Sequence, residues 1–292
     1  MKTCGIFTVH YFPIPFENWN ESFYLIPFGD VHRDSPLCHE RKWKEFLERA
    51  HKESRAYFLG MGDYNDLLSS SERKILTNPE LHDSTSHTID EVLMDRIYRF
   101  YDEIKFMRGR VIGLLGGNHY GTFETGITTD QKLAELLGCA FLGVTSFIRL
   151  ALQKTHSRKA TSVDVWAYHG RGAARLTGGS LNTVEQMSNL AEADIFLMGH
   201  DHKKPITFVD KLRLVGQSAK LRLRERKVLL ARTGSFLKGY VPGERSYVVD
   251  AGMRPNSLGV IKIELTPRRI STGSHRREQF DEEIYTEIRV ST

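Results

Sequence analysis

Side chains able to grip a metal ion recur in one setting along this sequence: beside a glycine, at the end of a short apolar run. Asp30 and His32 follow Phe28-Gly29, Asp63 follows Gly60-Met61-Gly62, and Asn118 with His119 follows Leu114-Leu115-Gly116-Gly117. His169 closes another run ahead of Gly170, and His200 and His202 follow Gly199. Any one of these, taken alone, reads as an ordinary hydrogen-bonded residue or a turn, since Gly-Asn after a strand is common turn chemistry. Repeated, they read as one site, because open α/β sheets bind ligands at the carboxyl ends of their strands and glycine allows the tight turn there. Carboxylate, imidazole and amide oxygen donors without a thiolate suit manganese, iron or zinc.

The elements that must position these residues follow from the spacing of apolar positions. Residues 22–28, 56–59 and 111–115 read as buried strands, with Pro27 marking an edge or bulge. Trp43, Phe46, Leu47 and Ala50 form one helical stripe, and Leu93, Ile97, Phe100, Ile104 and Met107 form a second. Strand, helix and strand in this order predict βαβ units. A short helix is expected over 129–137, stopped by Gly138, and another over 183–191. Strands are expected over 141–152, 162–168, 194–198, 206–209, 221–230 and 258–265. The predicted fold class is therefore α/β, a four-layer α/β/β/α sandwich of two facing mixed sheets. The whole of 1–292 is read as one domain, with an N-terminal arm over 1–21 and a polar insertion or lid over 67–90. His82 and His87, within that insertion, are read as solvated.

Composition narrows the class without naming a substrate. The chain has 292 residues, 40% of them hydrophobic and 26% charged, as in ordinary water-soluble proteins. No run is long enough to span a membrane and no signal peptide is apparent, so a cytoplasmic location without membrane attachment is expected. Three cysteines, Cys4, Cys38 and Cys139, lack close spacing and imply neither a disulfide framework nor a thiolate zinc site. A formal charge of +5 permits a phosphate-rich partner.

In this order, Asp30-x-His32, Gly62-Asp63-x-x-Asp66, Gly117-Asn118-His119, His169-Gly170 and Gly199-His200-x-His202 resemble the motifs of the calcineurin-like metallophosphoesterase superfamily. The resemblance spans about residues 22–205 and is carried by the ordered set rather than by any single motif. It implies two divalent transition-metal ions, manganese first, with iron, zinc or nickel as alternatives. One would be held by Asp30, His32 and His202, the other by Asn118, His169 and His200, with Asp63 bridging. It also implies that His119 faces the reacting phosphate as a catalytic residue and that Asp66 orients its imidazole.

Leu67 stands where the phosphoprotein-phosphatase branch has a phosphate-gripping arginine, and Tyr120 where it has an acid. The paired Gly-His-x-His resembles the phosphodiesterase and Mre11/SbcD-like nuclease branches instead. The expected function is thus a metal-dependent phosphoesterase, foremost a phosphodiesterase or nuclease acting on nucleic acid or nucleotides. A phosphomonoesterase acting on small molecules or phosphoproteins, and a catalytically silent binding scaffold, are the alternatives. Arg171 and Arg175, in the glycine-rich loop after His169, are candidate substrate-phosphate contacts. The basic positions Lys203, Lys204, Arg222, Arg224, Arg226 and Lys227 read either as a phosphate-tracking surface or as a solvated face.

Overall fold

A computed structural model describes residues 8–68, 83–172, 174–215, 221–243, 246–272 and 281–292. Strands β1 (Val9–Phe16), β6 (Thr145–Lys154), β7 (Ala160–Tyr168), β8 (Ile195–Met198), β9 (Ile206–Val215) and β10 (Arg222–Arg232) make one sheet, in the order β1-β6-β7-β8-β10-β9. Strands β2 (Phe23–Phe28), β3 (Ala56–Gly60), β4 (Val111–Leu114), β5 (Ala140–Phe141), β13 (Lys262–Thr272) and β14 (Asp281–Ser291) make the other, in the order β14-β13-β2-β3-β4-β5. A small ribbon pairs β11 (Gly234–Ser235) with β12 (Gly259–Val260). Both large sheets are mixed: β2, β3 and β4 run parallel, as do β7, β8 and β10, while β13 and β9 pair antiparallel to their neighbours.

The period-2 alternation of each strand decides the layering. On β3, Leu59 enters the core between the sheets while Ala56 and Phe58 face the helices. On β8, Ile195 and Leu197 point inward, and Phe196 and Met198 pack outward. Helices α1 (Glu40–Lys52), α2 (Asp83–Ile104) and α3 (Thr129–Leu137) cover the second sheet, where Trp43 stacks on Phe46 and Phe100. Helix α4 (Thr177–Ser188) covers the first through Val184 and Met187. Helices, sheet, sheet and helix form the four layers that the pattern predicts. A short helix, α5 (Tyr247–Asp250), lies in the segment before β12. Among the described residues, no helix is long and apolar enough to cross a membrane.

Four local expectations change. Of the anticipated insertion over 67–90, residues 69–82, with His82, lie outside the described residues, whereas the following stretch is the start of α2. There His87 is exposed, 3.5 Å from Glu91 one turn on. The anticipated strand over 141–152 divides between the two sheets as β5 and β6, because Gly143 turns at φ 70 and carries the chain from one sheet to the other. Helix α4 begins at Thr177, six residues before its expected start. Gly178 and Gly179 are poor helix formers, but Ser180 and Thr183 are tied to the buried Arg232, which fixes that first turn. Strand β14 was not anticipated, although Ile284, Thr286, Ile288 and Val290 alternate as a strand requires. The arm over 1–21 contains β1, which lies parallel to β6 at the edge of its sheet.

Candidate metal centre

The strand ends converge. Asp30 and His32 leave β2, Asp63 leaves β3, Asn118 and His119 leave β4, His169 leaves β7, and His200 and His202 leave β8. Their approach requires glycine at two points. A Cβ on Gly117 would sit 2.0 Å from Asp63 Oδ1, and one on Gly62, whose φ is +94, would sit 2.7 Å from His169 Nδ1. Backbone strain marks the same place. Among the described non-glycine residues, φ is positive at Asp30, His32, Asp63, His200 and His202, and elsewhere only at Asn20 and His156. Such conformations cost about 1–3 kcal/mol each and persist only where surrounding bonds enforce them.

Those bonds share out the two oxygens of each buried carboxylate. Asp63 Oδ1 accepts the backbone N–H groups of Asn118 (2.7 Å) and His119 (2.9 Å). Its Oδ2 faces His169 Nε2 at 3.3 Å and His32 Nε2 at 3.9 Å. Asp30 Oδ2 accepts the N–H of His200 (2.9 Å), while Oδ1 lies 3.4 Å from His202 Nε2 without a hydrogen bond. One oxygen of each residue holds a loop, and the other is turned toward the histidines of the cluster.

Besides His32, Asp66 and His119, two groups of side chains among the described residues bring possible donor atoms together. Asp30, His32 and His202 offer ligand atoms within 4.8 Å of one another, and so do Asp63, His169 and His200. Asn118 Oδ1 joins the second group, 2.9 Å from His169 Nε2 and 2.8 Å from His200 Nδ1. Two atoms of the first group, Asp30 Oδ1 and His32 Nε2, are buried with no hydrogen-bond partner. Orphaned buried polar atoms are costly, and a cation between them satisfies both. The residues present therefore fit a bound metal ion.

Outer contacts aim the ligands. His169 Nδ1 is 2.7 Å from the Met61 carbonyl, which can only accept, so that nitrogen carries the proton and Nε2 faces the site. Asp66 Oδ1 reaches both His32 Nδ1 (3.1 Å) and His119 Nδ1 (2.8 Å), so it orients a candidate ligand as well as the candidate catalytic imidazole. His119 and Asp66 both line the cleft.

Electrostatics follow from this crowding. Burial opposes charge on Asp63, but the imidazoles of His169, His32 and His119 outweigh it and hold the carboxyl well below the usual range. Hydrogen bonds from His119 and His32 do the same for Asp66. The Asp66 bond raises the pKa of His119. Burial lowers that of His200, and the nearby His169 lowers it further. Burial also opposes charge on His169, yet Asp63 raises its pKa to about 9. Its Nε2 lies 3.3 Å from Asp63 Oδ2 and 2.9 Å from Asn118 Oδ1, where a protonated imidazole would stand in for a cation.

Several supporting residues escape the sequence reading. Asp130, buried at the start of α3, accepts the Gly117 N–H at 2.9 Å and braces the Asn118 turn. Burial pushes the pKa of this carboxyl up to about 7. The capping box Thr128-x-x-Gln131 is a sequence signal for that helix start. Behind the Gly199–His202 loop, buried Arg232 donates to the Gly199 carbonyl at 2.6 Å, and buried Asp201 pairs with Lys203 at 2.6 Å. Nothing in the sequence distinguishes Arg232 from other strand-end arginines.

The ligand groups open into a cavity of about 480 Å³ whose lining also includes Ser246 and Asn256. Leu237, Val248 and Met253 give that lining an apolar part, and Lys238 and Arg254 give it charge. Arg171 and Arg175 are exposed on the loop after His169 and do not line the cavity, although Gly172 does.

No family model matches the sequence, and no curated protein matches it either. Among solved structures, wild-type Vps29 complexed with zinc from Entamoeba histolytica matches with 12% identity and a TM-score of 0.37, over 92% of this chain and 99% of that one. A single mutant of Vps29 from the same organism matches with 13% identity and a TM-score of 0.37, over 93% and 100%. A conserved uncharacterized protein of Streptococcus pneumoniae TIGR4, described as a predicted phosphoesterase, matches with 11% identity and a TM-score of 0.30, over 91% and 99%. At identities and TM-scores this low, the functional reading rests on the residues of the site itself.

Proposed function

We propose that this chain is a metal-dependent phosphoesterase that hydrolyses a phosphodiester of nucleotide size. The observation that carries the reading is the pair of buried, partnerless ligand atoms, Asp30 Oδ1 and His32 Nε2, within a convergent set that is held in strained backbone. Asp30, His32 and His202 would hold one divalent ion; Asn118, His169 and His200 would hold the other; Asp63 Oδ2 would be shared between them. Two ions so placed would supply a water nucleophile of lowered pKa and neutralise charge on the phosphoryl oxygens.

The chain's own residues do the rest. His119, fixed through Nδ1 by Asp66, lines the cleft with its other nitrogen free to protonate the leaving oxygen. The hydrogen bond to Asp66 raises its pKa and so favours the protonated form. Lys238 and Arg254 supply positive charge in the cavity lining, and Leu237, Val248 and Met253 take the apolar part of the substrate. Arg171 and Arg175 are the candidates for contacts to whatever part of the substrate extends past Gly172. A cleft of about 480 Å³ favours a nucleotide or a strand end over a broad duplex surface. Cys38 and Cys139 are free thiols, which fits a reducing compartment such as the cytoplasm.

The test is manganese-dependent turnover of a panel: nucleotide diesters, single- and double-stranded DNA, RNA and phosphomonoesters. Turnover greatest on small diesters is expected. Faster turnover of monoesters would replace the diester reading, and no metal-stimulated hydrolysis on any member would overturn the enzyme.

A further inference from the structure

Away from the metal centre, a cavity of about 550 Å³ opens between α1, β12 and β13, and no residue lines both it and the catalytic cleft. Its walls carry Lys42, Arg49, Lys52, Lys204 and Lys262, contributed by one helix, one loop and one strand. Cations in the last turn of a helix are ordinary complements of its dipole, which accounts for Arg49 and Lys52. It does not account for Lys204 and Lys262, which reach the same space from other elements.

Neutralisation inside the cavity is incomplete. The one carboxylate side chain among its described lining residues, Glu53, is bound to Lys262 at 3.0 Å. Lys42 pairs with Glu45 at 3.1 Å on the helix surface. Among the described residues, Lys204 Nζ hydrogen-bonds the Leu258 carbonyl, at 2.9 Å, and Arg49 Nε the Glu45 carbonyl, at 3.2 Å. No carboxylate among the described residues lies within ion-pair distance of Arg49, Lys52 or Lys204. Ile26, Phe46 and Val260 give the same cavity an apolar lining.

We propose that this cavity is a second binding site, for a small organic phosphate. Its anionic head sits on Arg49, Lys52 and Lys204, and its apolar body lies over Ile26, Phe46 and Val260. The volume falls within the range of small-molecule sites, and a cavity lined by both cations and apolar side chains suits an amphiphilic anion. The site does not depend on the hydrolytic reading of the metal centre.

Isothermal titration of the full chain with phenylphosphonate tests it. This probe has a phosphate-like head, a planar apolar body and no ester to hydrolyse, and EDTA in both solutions removes metal-centre binding. One-to-one binding is expected, weakened about tenfold or more by Lys204→Met and by Arg49→Glu, and unchanged by Arg254→Glu in the catalytic cleft. Methionine keeps the Lys204 stem that packs against Gly234, and Arg49 is exposed, so both variants should melt as the parent does. No binding at millimolar probe, equal affinity in all variants, or weakening only in Arg254→Glu would each overturn the proposal.

Discussion

The metal centre and the β9–β10 hairpin both concentrate charged side chains, and they hold them in opposite ways. At the candidate metal centre Asp30, Asp63, His32 and His169 are buried, the backbones of Asp30, Asp63 and His32 are strained, and outer atoms of the cluster are tied to loops and carbonyls. On the hairpin, Arg222 and Arg224 are exposed on regular strand, and Arg224 pairs with Glu283 at the surface. Arg226 pairs with Asp194 at 2.7 Å. At strand rise, Arg224 lies about 26 Å along β10 from Arg232, whose end of the strand faces the metal site. The exposed end of this basic strand therefore lies away from the candidate ligands and is partly paired at the surface. Charge density alone does not mark a site; charge that is buried, strained and left with unpaired atoms does.

The sharpest way to break this contrast is Asp63→Asn. The amide cannot accept two backbone N–H groups and also offer a negative oxygen to both ligand groups, so metal content by elemental analysis and turnover should fall together to background. Full metal occupancy in that variant would show that Asp63 does not bridge. His119→Ala should leave metal content unchanged and reduce turnover by about 10²–10⁴-fold, the usual worth of a positioned general acid. Undiminished activity would remove His119 from the chemistry.

Protons sharpen the comparison further. In metal-free protein, His169 has a pKa raised from 6.5 to about 9, so its proton stabilises the fold fully below about 6.5 and that stabilisation is lost as pH rises through about 9. Metal must displace this proton, so metal affinity should climb from neutral pH toward 9, and metal-free protein should lose melting temperature over the same range. Calorimetry with and without EDTA reads both; a metal-free melting curve unchanged through pH 9 would remove His169 as the stand-in charge. The smallest effect belongs to the hairpin. Arg222→Ala with Arg224→Ala should change turnover less than about twofold and stability by about 0–1 kcal/mol, as exposed pairs do. A large loss on any nucleic-acid substrate would restore the basic strand as a binding surface.

The layered fold was legible because apolar alternation and helical stripes are local signals. Leu59 facing the sheets while Phe58 faces α1 and α2 is decided by period alone. The candidate ligands were legible for a related reason, since each lies beside a glycine at the end of a recognisable strand. Boundaries that depended on distant partners were not. The start of α4 over Gly178 and Gly179 needs Arg232 from β10, and the division of 141–152 between two sheets depends on where Gly143 turns.

By itself, then, the sequence determined which residues could ligate and which strands would carry them. Only the tertiary structure decided which oxygen of Asp30 and Asp63 faces inward, that Asp66 serves His32 as well as His119, and that Asp130 braces Gly117. It also decided that Arg171 and Arg175 stay outside the cleft while Lys238 and Arg254 line it. The physical reason is range. Periodicity and glycine turns act over a few residues and are written locally, whereas the roles of individual oxygens, protons and cations are set by groups brought together from across the chain.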